Sequence, residues 1–230
     1  MNDHTAPQPE LAAWRPRLAA MAAGAAAATA TDDGAHDASH LERVWRSAET
    51  LLGHHLDADP LVVMAASYLH DLVNLEKDDP ERAQASRRSA LLARTLLLEA
   101  GFPPGRLDAV AHAIEAHSFS AAIAPTTIEA RIVQDADRLD ALGAVGLARM
   151  FSISGRMRRA LAHPTDPLAI NRELDDRAYA LDHIVLKLAK LPDMMQTAAG
   201  RDLAKERLGK LMVFREEFAA EWLGAPNADS

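Results

Sequence analysis

The sequence has no cysteine, which excludes disulfide bonds, zinc–thiolate sites and a cysteine nucleophile. Aromatic residues make up only 4% of the chain, and runs of β-branched residues are few. Alanine, leucine, arginine and glutamate dominate instead, and this composition favours helices over strands. The chain also lacks a basic excess, because its formal net charge is −8 at pH 7, which argues against a protein that grips nucleic acid by its phosphates. We therefore predict an all-α protein with no nucleic-acid partner.

The sequence offers no convincing membrane helix. Residues Leu18 to Ala30 are mostly alanine, which is only weakly apolar, and Asp32 and Asp33 follow closely. The start of the chain is polar and contains proline, without the basic and apolar regions of a leader. We expect neither a signal peptide nor a transmembrane helix. Together with the absence of cysteine, this favours a soluble cytoplasmic protein.

Apolar residues recur at three- and four-residue spacing through most of the chain, which predicts amphipathic helices. The 230 residues, 49% of them apolar, are enough to bury a core. Neither an internal repeat nor a long linker is visible, so we predict one helical domain over residues 10–223 after a disordered tail at 1–9, with the informative motifs within about 34–152. The predicted helices span about 11–27, 37–54, 60–70, 81–99, 107–117, 126–150 with a break at Gly143 or Gly146, 169–191 and 197–223, and loops are predicted at 74–80, 118–125 and 154–167.

Several of the ten histidines stand where predicted helices begin or end. His70 ends one helix and precedes Asp71, His40 begins another, and two aspartates, Asp135 and Asp137, lie in a mostly apolar helix. Imidazole and carboxylate groups are ligands of first-row divalent metals. Consecutive helical residues point about 100° apart, so His70 and Asp71 can flank one ion, with His40 and a distant aspartate at further positions. Water or substrate would fill the rest, and open positions are typical of a catalytic metal site.

Five short motifs follow one another along the chain: His36-Asp37-x-x-His40-x-x-Arg43-Val44, Leu69-His70-Asp71, Ala116-His117-Ser118-Phe119-Ser120, Glu129-Ala130-Arg131 and Asp135-Ala136-Asp137-Arg138-Leu139-Asp140-Ala141-Leu142-Gly143-Ala144. In this order they resemble the HD-domain superfamily of metal-dependent phosphohydrolases, and within it the bacterial YedJ/YpgQ-like branch. The similarity covers roughly residues 34 to 222. A bare His-Asp dipeptide is weak evidence, whereas the ordered set is specific. The resemblance implies that the helical domain is an HD-domain helical bundle.

The resemblance implies metal ligands at His40, His70, Asp71 and Asp137. Asp137 follows from aligning the Ala-Asp-Arg-Leu core with the family motif, and a shift of two residues would make Asp135 the ligand instead. The implied cofactor is a divalent metal ion, with Mn²⁺ first and Mg²⁺, Co²⁺, Fe²⁺, Ni²⁺ or Zn²⁺ as alternatives.

The resemblance further implies hydrolysis of a nucleotide or a related phosphorylated metabolite, including a (deoxy)nucleoside triphosphate with release of pyrophosphate. The acidic charge of the chain does not oppose a small phosphorylated substrate, because one metal ion can dominate the local field. We therefore expect a small-molecule partner and no membrane, with a homodimer as one option for assembly.

The motifs leave the general base open. Some HD nucleotidases carry a glutamate shortly after the His-Asp pair, whereas here an apolar stretch follows and Glu76 comes later. We take Asp71, His117 and Glu76 as candidate catalytic residues. Cationic side chains donate hydrogen bonds to phosphate oxygens, and the candidate substrate-binding residues are Arg43, Lys77, Arg88, Arg138 and Arg149.

Other interpretations stay open at this point. One is a non-catalytic HD protein that senses a metal or a nucleotide, which the absence of a glutamate directly after the His-Asp pair favours. Another is a dinuclear HD-fold phosphodiesterase or oxygenase, in which His112 and His117 add ligands. A helical scaffold with structural histidines would bind no metal tightly. The basic run Arg156 to Arg159 is interpreted as a solvated loop, with a substrate lid as the alternative.

Overall fold

The computed structural model describes residues 9–29, 38–73 and 81–224. Within these ranges the chain forms nine α-helices and no β-strand, so the predicted all-α class is confirmed. The helices are α1 (Pro9–Thr29), α2 (Ala38–Leu52), α3 (Pro60–Leu69), α4 (Ala85–Glu99), α5 (Leu107–His117), α6 (Ile128–Leu139), α7 (Gly143–Arg156), α8 (Asp182–Leu186) and α9 (Ala198–Trp222). None of these helices combines the length and the apolarity that crossing a membrane requires.

The helices fall into two compact units, Met1–Asp137 and Arg138–Ser230. The bounds of the predicted domain, 10–223, stay a prediction. The predicted tail at 1–9 lies outside the described residues except for Pro9, which begins α1. The predicted loop at 74–80, with Glu76 and Lys77, also lies outside them.

Helix α3 forms the centre of the first unit. Asp59 caps its start by accepting hydrogen bonds from the backbone N–H groups of Leu61 and Val62, at 3.0 and 3.4 Å, and Pro60 occupies the first turn, as helix starts favour. Every residue from Leu61 to Leu69 is buried, because α3 packs against α1, α2 and α5. A helix that is apolar all round needs neighbours on all sides. Its C-terminal end, which carries His70 and Asp71, is therefore held within the first unit.

The turn between α6 and α7 and the first turn of α7 each require a glycine. Gly143 has a φ of +72°, a conformation that a side chain disfavours, and it begins α7. A Cβ atom on Gly146 would lie 2.2 Å from the carbonyl group of Ala141, so no side chain fits there. The predicted break in the helix is therefore confirmed, and it falls at the first of the two glycines.

The prediction of one helix over 169–191 is wrong. Helix covers only Asp182–Leu186 of this range, with two short 3₁₀ turns after it. Polar side chains hold part of the remainder: the buried carboxylate of Asp182 accepts two hydrogen bonds from Arg172, at 2.6 and 2.8 Å, and one from the backbone N–H of Asp175 at 2.7 Å. The carboxylate of Asp166 similarly accepts two backbone N–H groups at 2.9 Å. These bonds offer the backbone a partner other than its own helix, which composition alone does not reveal.

The loop predicted at 154–167 starts too early, because α7 continues to Arg156. In the same unit α9 packs against α7. The ring of Phe151 on α7 lies 5.8 Å from that of Phe214 and 6.1 Å from that of Phe218, both on α9. Aromatic pairs of this kind add to the packing of the two helices.

Candidate metal centre and active site

Five side chains from four helices converge in the first unit: His40, His70, Asp71, His117 and Asp137. His40 lies in the first turn of α2, and Asp137 in the last turn of α6. The Nε2 atoms of His40 and His70 are 3.3 Å apart. Oδ1 of Asp137 lies 3.5 Å from the first and 3.8 Å from the second. These three residues offer ligand atoms that all lie within 4.8 Å of one another.

A second group shares His70 with the first. It consists of His70, Asp71 and His117, whose ligand atoms also lie within 4.8 Å of one another. Oδ1 of Asp71 is 3.5 Å from Nε2 of His117, whereas Oδ2 is 3.6 Å from Nε2 of His70 and 3.9 Å from Nε2 of His40. The two oxygens of Asp71 therefore face different imidazoles.

The same local bond orients two of the histidines. Nδ1 of His70 lies 2.9 Å from the carbonyl oxygen of Ser67, and Nδ1 of His117 lies 2.6 Å from that of Ile114, in each case three residues earlier. A carbonyl oxygen only accepts, so Nδ1 carries the proton, and in the neutral ring Nε2 presents a lone pair. The carbonyls at a helix end lack partners within the helix. Each histidine therefore fills such a place and turns Nε2 towards the cluster.

Burial governs the charges of the cluster. It lowers the pKa of His70 to about 4, so this imidazole is neutral at neutral pH. Burial also opposes ionisation of Asp71, but the imidazoles of His70, His117 and His40 outweigh it and hold the pKa of this carboxyl well below its usual range. Burial lowers the pKa of His117, but the hydrogen bond to Asp71 and the charges of Asp71 and Asp137 together outweigh it and raise the pKa. These shifts favour the charged forms of both Asp71 and His117.

The donor set fits a divalent cation. Imidazole lone pairs and carboxylate oxygens point at one another, which is repulsive unless a proton or a cation lies between them. His40 and His70 are buried, at 1% and 0% exposure. The side chains of Asp71 and Asp137 are 22% and 29% exposed, so the cluster is open to solvent on its carboxylate side. An ion held there would keep positions for water or a substrate.

The geometry distinguishes the two aspartates of the late motif. Asp137 contributes an oxygen to the first group, whereas Asp135 is fully buried and belongs to neither group. They differ because residues two apart on a helix point to different faces. The sequence allowed either register.

The candidate substrate-binding cations have different surroundings. Arg43 lies one turn after His40 on α2 and donates a hydrogen bond to Oγ of Ser39 at 2.6 Å. Arg88 forms an exposed ion pair with Glu81 at 2.7 Å. In the second unit, Arg138 donates to the backbone carbonyl of Met194, and Arg149 pairs with Asp140. Their assignment to substrate binding, like that of Lys77, stays a prediction.

His112 has a local role that the sequence did not reveal. Its Nε2 accepts a hydrogen bond from the backbone N–H of Thr126, at 3.1 Å, and lies 2.9 Å from the hydroxyl of the same residue. The ring therefore fastens the loop after α5, and it belongs to neither ligand group of the described residues. The sequence also gave no indication of a structural role for Gln134, although this residue directly precedes Asp135 in the late motif. It is buried, and its amide donates to the carbonyl oxygen of Ala116 at 2.6 Å.

An all-helical protein in which His, His-Asp and Asp meet around one point has the architecture of an HD domain. The HD domain family matches residues 37–142, and the chain belongs to this family. It is 34% identical over 189 residues to the uncharacterised protein YpgQ of Bacillus subtilis (strain 168), with 80% of this chain and 83% of that protein covered.

Solved structures support the same assignment. The crystal structure of Bacillus subtilis YpgQ in complex with ADP is similar with a TM-score of 0.67 and 29% identity, over 90% of this chain and 97% of that one. An HD-superfamily hydrolase from Bacillus thuringiensis gives the same TM-score, identity and coverage. The fold is therefore that of an HD-superfamily hydrolase.

Proposed function

We propose that this protein is a metal-dependent phosphohydrolase that acts on a nucleotide, with His40, His70, Asp71 and Asp137 as the metal ligands. The observation that carries the proposal is the cluster itself, in which the Nε2 atoms of His40 and His70 are 3.3 Å apart and lie 3.5 to 3.9 Å from the carboxylate oxygens. A bound divalent ion, Mn²⁺ in the first place, supplies Lewis-acid charge to a phosphate oxygen and acidifies water.

Asp71 and His117 are the proposed catalytic residues. Their 3.5 Å contact and the raised pKa of His117 support a role in holding a proton next to the ligand set. A group of this kind can take a proton from an attacking water or return one to a leaving group. The backbone bond to Ile114 keeps Nδ1 protonated, so Nε2 is the atom that exchanges the proton. Glu76 stays a candidate on sequence grounds alone.

Arg43 is the proposed phosphate-binding residue that the geometry supports best. It follows His40 by three residues on α2, so both side chains lie on neighbouring positions of one helix face. A guanidinium group in this place can bind two phosphate oxygens at once. Arg88, Arg138 and Arg149 are further candidates, and they bond Glu81, the carbonyl oxygen of Met194 and Asp140 respectively.

Two observations support a nucleotide as the substrate. The relative YpgQ has been crystallised in complex with ADP. In this chain Phe119 is 77% exposed and follows His117 by two residues. An exposed phenyl ring is a surface on which a nucleobase stacks, at about 1–3 kcal/mol per base. A (deoxy)nucleoside triphosphate that is cleaved to release pyrophosphate is the finer form of this proposal.

The test replaces His70 or Asp71 with alanine and measures bound metal and hydrolysis side by side. The protein is loaded with Mn²⁺, Co²⁺ or Mg²⁺, its metal content is determined by elemental analysis, and nucleotide products are identified. We expect both variants to lose metal and activity, whereas His54→Ala, an exposed histidine outside the cluster, keeps both. Full retention of metal and hydrolysis by His70→Ala and Asp71→Ala would overturn the proposal. Pyrophosphate among the products distinguishes a pyrophosphohydrolase from a phosphomonoesterase.

The two overlapping ligand groups favour one second candidate, a dinuclear HD-fold phosphodiesterase or oxygenase. His70 belongs to both groups, so two ions would have to share its surroundings, with His117 as an added ligand. The notion that His112 also binds an ion is not supported, because its Nε2 already bonds Thr126. A metal count of two per chain would favour this candidate, and a count of one supports the mononuclear enzyme.

A further inference from the structure

Gln134 on α6 connects the helix of Asp137 to the helix of His117. Its side chain is only 4% exposed. The amide nitrogen Nε2 donates to the carbonyl oxygen of Ala116, the residue before His117, at 2.6 Å. Because a carbonyl only accepts, this bond also fixes which end of the amide faces α5. Gln134 and Asp137 are three residues apart and therefore neighbours along α6.

The end of α5 is held by two side chains. Its last carbonyl groups have no partner within the helix. The ring of His117 takes the carbonyl of Ile114, and the amide of Gln134 takes the carbonyl of Ala116. The first bond sets the rotation of the imidazole, and the second holds the peptide that carries it. With both bonds in place, Nε2 of His117 lies 3.5 Å from Oδ1 of Asp71.

The other end of the Gln134 amide argues against a purely packing role. Its oxygen Oε1 is buried and has no hydrogen-bond partner among the described residues. An unpaired buried acceptor costs free energy that an apolar side chain of the same size would avoid. The presence of an amide here is therefore explained by the hydrogen bond that its nitrogen donates, and not by packing.

We propose that Gln134 is a positioning residue for His117, and that it acts on the reaction only through that imidazole. This inference rests on the proposed function, in which His117 handles a proton. Gln134 touches no ligand atom of the cluster in this role. It fixes the position and orientation of the last turn of α5, and a shift of that turn moves Nε2 of His117 away from Asp71.

The test is a double-mutant cycle with Gln134→Met, which keeps the length of the side chain and removes the donor, and His117→Ala. We expect Gln134→Met alone to lower kcat on the order of 10- to 100-fold, the effect of misplacing a catalytic group by about 1 Å, with KM and metal content unchanged. In the His117→Ala background the same change should have no further effect on kcat, because coupled residues are not additive. Gln196→Met is the matched control, since the amide of this exposed glutamine also donates to a backbone carbonyl, at 3.1 Å.

A second readout does not depend on activity. Proton–nitrogen NMR of the imidazoles, recorded at a pH above the pKa of His117, should show its neutral ring protonated at Nδ1 in the native protein and a mixture of tautomers in Gln134→Met. Gln134→Asn, shorter by one methylene group, should behave like Gln134→Met, and it replaces that variant if methionine prevents folding. An unchanged kcat with an unchanged His117 tautomer, or an equal loss in both backgrounds, would overturn the proposal. If the native protein hydrolyses no nucleotide, the proposed function fails, while the NMR comparison still decides the role of Gln134.

Discussion

The Nε2 atoms of His40 and His70 lie 3.3 Å apart, although the two residues come from different helices and are 30 positions apart in sequence. Nδ1 of His70 is bound to the carbonyl of Ser67, so its Nε2 brings a lone pair to this contact. Oδ1 of Asp137 lies within 3.8 Å of both nitrogens. The native fold therefore brings together groups that favour a cation between them.

The first prediction concerns metal-linked stability. A ligand that binds only the native state adds about 2.7 kcal/mol to the free energy of unfolding when its free concentration is on the order of 100 times Kd. We expect Mn²⁺ to raise the stability of the protein by this amount, as measured by urea denaturation, and a chelator to reverse the gain. In His70→Ala this Mn²⁺-dependent increase in the free energy of unfolding should vanish, whatever the stability of the variant without metal. An equal gain in that variant would show that Mn²⁺ binds elsewhere.

The second prediction separates the two aspartates of α6. Asp137→Asn should weaken Mn²⁺ binding by more than about 100-fold, because it replaces a charged ligand carboxylate with a neutral amide, whereas Asp135→Asn should fall within the roughly 10- to 100-fold range of residues that support a ligand. Isothermal titration with Mn²⁺ measures both constants under the same conditions. The opposite order of the two effects would mean that Asp135 is the ligand.

The sequence predicted the first unit well because its helices carry strong local signals. Asp59 and Pro60 indicate the start of α3, and the ordered His and Asp motifs indicate the cluster. What the sequence could not decide was register: Asp135 and Asp137 differ only in the face of α6 on which they lie. It also could not show that backbone carbonyls orient His70 and His117, since those acceptors carry no side-chain signature.

The second unit shows the opposite case. Residues 169–191 contain the alanine, leucine and arginine of a good helix, yet only Asp182–Leu186 is helical there. The competing bonds come from Arg172 and Asp182, ten residues apart, and from the backbone of Asp175. Propensity is a weak prior, and the buried ion pair between Arg172 and Asp182, the first residue of α8, overrides it.

The third prediction follows from that ion pair. Asp182 is fully buried, and the side chain of Arg172 is 16% exposed. Asp182→Ala should lower the free energy of unfolding by about 3–5 kcal/mol, because it leaves the guanidinium without its partner. The control is Glu206→Ala, since the ion pair of Glu206 with Lys210 is 64% and 61% exposed on its two sides and such pairs contribute about 0–1 kcal/mol. Equal losses in the two variants in urea denaturation would refute the structural role of Asp182.

The fourth prediction concerns alkaline pH. Burial and the hydrogen bond to Glu42 raise the pKa of Tyr68 to about 12 from an ordinary value of 10.0. The folded state therefore holds this proton more tightly than the unfolded state, so the stability is fully present below pH 10 and falls as the pH rises towards 12. Tyr68→Phe should lose less stability than the native protein over this interval, by up to about 1.4 kcal/mol per pH unit.

Urea denaturation of both proteins at pH 9, 10 and 11 makes this comparison, and other titrating groups cancel because the two chains share them. Parallel curves for the native protein and Tyr68→Phe would show that the hydroxyl does not titrate as stated.

The fifth prediction tests the exposed ring of Phe119. If a nucleobase stacks on it, Phe119→Ala should raise KM for a nucleoside triphosphate by about 5- to 150-fold, the equivalent of about 1–3 kcal/mol, and leave kcat nearly unchanged. Phe119→Trp should keep the low KM. Inorganic tripolyphosphate, which has no base, is the control substrate. The native protein and both Phe119 variants should have the same KM for it. A nucleotide KM that ignores the substitution would place the base elsewhere.

The bonds from His70 and His117 to their own helices have a consequence for protein engineering. Each imidazole is oriented by a carbonyl three residues earlier, so the orienting partner belongs to the same stretch of chain as the ring. Such a unit carries its alignment with it. A designer could append a terminal histidine to an unrelated helix and obtain an outward-facing Nε2 without building a supporting carboxylate around it.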